Sequence, residues 1–159
     1  MSILKLMGAA ILGVLFVLAL LVAVPGYLLY MSSTWGWPEW QHPPGMLGGG
    51  VLIAAGAGVI LYSTGIFKKF GRGTPSPLAP PNRLVARGLY RRSRNPMYVA
   101  YVTVALGEAL FFGDTVLLIY AAAMFLALHL LIVLHEEPEL QQRFGEDYET
   151  YRKTAPRWL

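Results

Sequence analysis

The chain has no cysteine, three histidines and little charge: 13 Lys and Arg and 9 Asp and Glu in 159 residues, or 14%. Without cysteine there is no disulfide, no thiolate metal site and no Cys nucleophile, and the redox compartment cannot be read. A soluble domain carries roughly 25% charged residues, so this chain is too poor in charge to clothe a soluble globule. At 55% hydrophobic it is equally far from a disordered chain. The length suits one domain. What it has in quantity is uncharged apolar sequence.

Three runs stand out. Leu6 to Tyr30 is 25 residues without a charge, Met46 to Phe67 is 22, and Thr115 to Leu134 is 20, interrupted only by His129. Each meets the roughly 20 residues needed to cross a bilayer core. A fourth run, Met97 to Phe112, has 16 residues and contains Glu108. It spans about 24 Å at 1.5 Å per residue, and crosses only if Pro96 and Gly113 extend it or the bilayer thins. A turn at Gly113-Asp114 makes the last two segments a hairpin. The first run is too long for a signal-peptide core and has no small-residue cleavage site after it.

Charge sets the expected orientation. Residues 68–95 hold eight basic side chains (Lys68, Lys69, Arg72, Arg83, Arg87, Arg91, Arg92, Arg94) and no acid, whereas 31–45 has only Glu39 and the short turn only Asp114. From His135 onward there are four basic and six acidic residues. Basic loops stay cytoplasmic. The expected architecture is therefore one all-α integral-membrane domain, residues 1–159, with both termini cytoplasmic. Its four transmembrane helices lie at about 4–30, 46–67, 96–112 and 115–136, the last two a hairpin. Trp35, Trp37 and Trp40 then occupy an outer aromatic belt, and His42 reads as an ordinary outer-loop histidine.

Gly71 to Pro81 contains four prolines, which exclude regular helix. Gly71-Arg72-Gly73 is weak evidence for phosphate binding, lacking a strand and helix around it. Pro138 is expected to end the fourth helix and start another. Leu140, Phe144, Tyr148 and Tyr151 follow at helical spacing, predicting an amphipathic tail helix over about 139–153 that docks on the bundle.

Polar residues inside or at the ends of apolar helices are the candidates for chemistry. Glu136 and Glu137 stand at a helix C-terminus, where the macrodipole opposes acids. Either the arginines before Pro96 or a cationic ligand must compensate. His129 lies seven residues before Glu136 on the same helical face, and Glu108 shares a face with Tyr98 and Tyr101. Ionisable groups at such depth are costly and mark candidate sites.

Gly88-Leu89-Tyr90, then Ser93-Arg94-Asn95-Pro96-Met97-Tyr98, then Glu136-Glu137-Pro138 with Phe144-Gly145 and Tyr148 resemble the isoprenylcysteine carboxyl methyltransferase and phospholipid methyltransferase superfamily. The likeness covers about the last 95 residues. Asn95 and Ala100 stand where the isoprenylcysteine branch typically has histidine and glycine, so the pattern is closer to the phospholipid branch and small bacterial relatives. The resemblance implies an integral-membrane enzyme using S-adenosyl-L-methionine, with a lipidic or hydrophobic acceptor and with membrane lipids, but neither nucleic acid nor metal, as partners. It implies that both motifs, Arg94, Asn95, Pro96 and Tyr98 with Glu136 and Glu137, line the donor site. His129, on the Glu136 face, is read as a further donor-site residue, and His129, Arg94 and Glu108 are the candidate catalytic residues. The bacterial branch would place it in the cytoplasmic membrane. Two other classes share parts of the pattern: NADPH-dependent sterol-type reductases, and non-catalytic membrane proteins that bind anionic lipid through a basic loop.

Overall fold

A computed structural model describes residues 3–71 and 83–159. The Gly-Arg-Gly motif and the proline-rich stretch lie almost wholly outside the described residues. Those described are helical, apart from turns and one isolated bridge between Glu39 and Asp114. The helices are α1 (Ile3–Leu18), α2 (Val24–Trp35), α3 (Pro43–Ile66), α4 (Pro96–Phe112), α5 (Thr115–Leu131), α6 (Glu137–Phe144) and α7 (Glu146–Thr154). Three continuous helical stretches are long and apolar enough to cross a membrane: Ala10–Trp35, Pro43–Ile66 and Thr115–Phe144. Pro96–Phe112 is apolar but shorter.

Proline does not stop the helix where expected. Pro138 was expected to end the fourth segment, yet α5 runs on into α6 through a π-helical turn at Ile132–Glu136. Proline lacks an N–H and its ring clashes with the carbonyl four residues back. The wider π turn, in which the Glu137 N–H reaches the Ile132 carbonyl, loosens that contact and lets the helix continue. The same device precedes Pro25, where π turn Ala19–Ala23 joins α1 to α2. The first helix thus extends to Trp35 rather than ending near residue 30.

The tail also differs from the single helix expected over 139–153. Gly145 adopts φ 51°, ψ −121°, a conformation reserved for glycine, and splits it into α6 and α7. The apolar face survives the break. Tyr148, Tyr151 and Ala155 are buried, with Leu140, Phe144 and Leu84 packed on them. The Tyr151 hydroxyl donates to the Tyr90 carbonyl at 2.6 Å, pinning the tail to the segment before α4. Burial of the phenol raises the Tyr151 pKa above the ordinary tyrosine value.

At the other end, the link between α2 and α3 meets the α4–α5 turn. Trp40 N–H donates to Gly113 O at 2.7 Å and Thr115 Oγ1 to Pro38 O at 3.0 Å. Gly113 caps α4 in the left-handed region at φ 61°, and a Cβ there would run into the Gln41 backbone. Asp114, 2% exposed, accepts from the Val116 and Leu117 N–H groups and starts α5. His42 is more than a loop residue: its Nδ1 accepts from Gly45 N–H at 2.8 Å and caps α3.

The core gathers Leu21, Tyr101, Val104, Ala105, Ala121, Met124 and Leu128, and small residues close the crossing of α3 and α4. A Cβ on Gly49 would sit 2.5 Å from the Gly107 carbonyl oxygen, and one on Gly107 2.9 Å from the Gly49 carbonyl oxygen. Small residues allow such backbone approach between apolar helices. Gly49→Leu is therefore expected to force α3 from α4 and cost about 1–3 kcal/mol, read as a lower unfolding midpoint in detergent. Gly48→Leu, which meets nothing within 4 Å, should leave the midpoint unchanged.

Candidate functional site

The site lies where the start of α4 meets the end of the long fourth helix. Gly88, at φ 59°, opens a 3-10 turn over Gly88–Arg91. Buried Ser93 then accepts the Asn95 N–H at 3.1 Å through its Oγ. Pro96 takes the first position of α4, where its missing N–H costs nothing. Asn95 makes no side-chain cap, so its amide is free for a tertiary partner: Nδ2 donates to the Arg157 carbonyl at 3.0 Å.

Glu137 holds the centre. Arg94 Nη2 donates to its Oε1 at 2.9 Å; Arg157 donates through Nε to Oε1 at 2.8 Å and through Nη2 to Oε2 at 3.0 Å. The Arg94 and Glu137 side chains are 9% and 12% exposed, that of Arg157 33%. The helix does not end at these acids as expected but runs on to Phe144, so the two arginines offset the burial of the Glu137 carboxylate rather than a helix-end dipole. The hydrogen bond to Glu137 also raises the Arg157 pKa above the ordinary arginine value. Glu136, the neighbouring acid, accepts from the Tyr98 hydroxyl, and Tyr98 packs edge-on against Tyr101 with ring centroids 5.9 Å apart.

The last five residues strap the two halves together. Arg94 N–H donates to Pro156 O at 2.9 Å. Trp158 lies nearly parallel to His129, centroids 6.0 Å apart, and its Nε1–H donates to His129 Nδ1 at 3.3 Å. That bond assigns the imidazole proton to Nε2.

Arg94, Asn95, Pro96, Tyr98, Glu136 and Glu137 thus come together in one cluster, with His129 joined to it through the strap. Glu108 stands apart, ten residues beyond Tyr98 on α4, about 15 Å along the helix; its Oε2 is buried without a hydrogen-bond partner. Arg157 and Trp158 are contributors that sequence reasoning passed over. Their signal was slight: an arginine and a tryptophan after Pro156, outside any periodic segment. Among the described residues, no group of three His, Asp or Glu is placed to hold a metal.

Two donor atoms of Arg94 stand out, beside the buried Tyr148 hydroxyl. Arg94 Nε and Nη1 are buried and have no hydrogen-bond partner. Buried donors are normally satisfied, and a guanidinium with two free N–H groups suits a carboxylate. A bundle of apolar helices carrying such a cation–carboxylate cluster at one end has the make-up of a membrane protein. The sequence model of the phospholipid methyltransferase family matches residues 45–147, and the chain belongs to that family. No curated protein and no solved structure matches the chain.

The cluster makes a stability prediction. Removing one member of a buried ion pair typically costs about 3–5 kcal/mol. Glu137→Ala should fall near the lower end of that range in denaturant titrations, since it strands Arg94. Arg157→Ala should cost distinctly less, because Arg157 is partly exposed and leaves Arg94 paired with Glu137. Equal losses would mean that Arg94 does not depend on Glu137.

Proposed function

We propose that this chain is an integral-membrane methyltransferase that uses S-adenosyl-L-methionine to methylate a lipidic or hydrophobic acceptor at the cytoplasmic membrane face. The observation that carries this reading is the convergence of Arg94, Tyr98, Glu136 and Glu137, with two Arg94 donors still free. The eight basic residues of 68–95 support a cytoplasmic position for this end. Four crossings then bring both chain ends to that side. Pro96–Phe112 spans only about 25 Å, so it crosses where the bilayer is thin or the Gly113-Asp114 turn dips into it.

The residues present fit the methyl donor. Arg94 would reach its carboxylate through Nε or Nη1, which lie on different edges of the guanidinium. Glu136 and Glu137 would meet its ammonium and ribose hydroxyls, with Asn95 beside them. When bound, S-adenosyl-L-methionine supplies a methyl group already activated on a sulfonium. The protein's share is then positioning. Tyr98 orients the Glu136 carboxylate, Pro96 sets the chain direction into α4, and Glu137 steadies Arg94. His129, with Nδ1 engaged by Trp158, presents Nε2–H and acts as a donor that orients; to accept a proton from the acceptor it must first part from Trp158. Glu108, deeper along α4, belongs on this reading to the acceptor side. A lipidic acceptor enters sideways from the bilayer.

Titrating purified protein separately with S-adenosyl-L-methionine and NADPH tests the class. Saturable binding of the first alone is expected. Binding of NADPH alone would replace this reading with the reductase, and binding of neither would leave a non-catalytic lipid-binding protein. Glu136→Ala should weaken S-adenosyl-L-methionine binding by about 10- to 100-fold, the range for losing a charge-assisted hydrogen bond, with the fold intact by circular dichroism. Unchanged affinity removes Glu136 from the site.

A further inference from the structure

At the surface end of α3, Tyr62, Ile66, Lys69 and Phe70 face Arg87 and Gly88 across an open groove of about 470 Å3. That volume lies within the range of small-molecule sites. The Lys69 ammonium stands 5.4 Å from the Phe70 ring centroid and the Arg87 guanidinium 5.0 Å from it. Both cations are therefore held on one ring by cation–π attraction, and among the described residues neither has an acidic partner. Among the described residues, no carboxylate lines the groove.

The groove wall depends on glycine. Gly88 has φ 59°, and a Cβ there would lie 2.5 Å from Ile66 Cδ1 and 2.7 Å from the Tyr62 hydroxyl oxygen. From the groove, an apolar strip of α3 leads toward the membrane region, with Leu61 74% and Tyr62 51% exposed. Two cations above an apolar floor that opens onto an apolar helix face match an anionic lipid, charged at one end and hydrocarbon beyond it.

We propose that this groove binds an anionic phospholipid of the adjoining leaflet. Its phosphodiester sits between Lys69 and Arg87, and its glycerol and first acyl carbons lie over Phe70 and Ile66. The site is separate from the Arg94–Glu137 cluster and does not depend on methyl transfer. It differs from diffuse attraction of a basic loop to a charged surface, which any equal number of arginines supplies.

Native mass spectrometry of the full chain in detergent, titrated with phosphatidylglycerol or phosphatidylcholine, tests it through the dissociation constant of the first lipid bound. Phosphatidylglycerol is expected to bind at least tenfold tighter. Each cation removed should cost about fivefold, so R87Q loses about fivefold and K69A/R87A about 25-fold, while R91A/R92A, with the same change in charge, stays at the wild-type value. R87Q covers the case in which the double variant unfolds. An equal loss in R91A/R92A, no loss in R87Q, equal affinity for phosphatidylcholine, or displacement of the lipid by millimolar inorganic phosphate would each overturn the proposal.

Discussion

One carboxylate, Glu137, organises the polar end of this molecule. It lies within the continuous helix Thr115–Phe144, half-buried at a poorly hydrated boundary where a lone carboxylate is costly. Arg94 from the start of α4 and Arg157 from the tail both close on it. Because those arginines come from separate parts of the chain, the ion cluster fixes where three elements meet. Its value lies in geometry as much as in net stability, since burying charges costs nearly as much as pairing them returns. Arg94 is thereby held with its guanidinium between Glu137 and the buried Tyr148.

The helix that carries Glu137 gets it there by an unusual route. An unbroken α-helix through residue 138 would press the proline ring on the Leu134 carbonyl. A π turn accommodates the ring and changes the angular spacing of the side chains that follow. Glu136 then meets Tyr98 and Glu137 meets Arg94, two neighbouring acids with different partners on the same opposing segment. The small-residue crossing holds α3 and α4 backbone to backbone at Gly49 and Gly107, and again where Gly56 meets Ala100 and Val104.

Much of this was readable from residue order. The apolar runs fixed the helices, and the proline and glycine at either end of α4 placed its bounds correctly. The pairing of Arg94 with Glu137 was readable because charge beside an apolar helix needs a partner, although the helix end it was inferred from is not there. Pro138 misled, because the rule that proline ends a helix takes no account of a π turn ahead of it. The division of the tail at Gly145 was not readable, because helical spacing continues across it while its backbone takes a conformation open only to glycine. Arg157 and Trp158 escaped notice because neither belongs to a periodic pattern, and their partners lie 20 and 29 residues away. Glu108 shares a helical face with Tyr98, yet its distance along α4 keeps it out of the cluster.

The central claim is that the start of α4 and the tail from Glu136 to Trp158 form one ligand site. Hydrogen–deuterium exchange of the full chain in detergent, with and without saturating S-adenosyl-L-methionine, tests that most directly. The account predicts slowed exchange in residues 93–98 and 136–158 together, with the α2–α3 link at the opposite end unchanged. Protection confined to one of the two segments, or none in either, would contradict it.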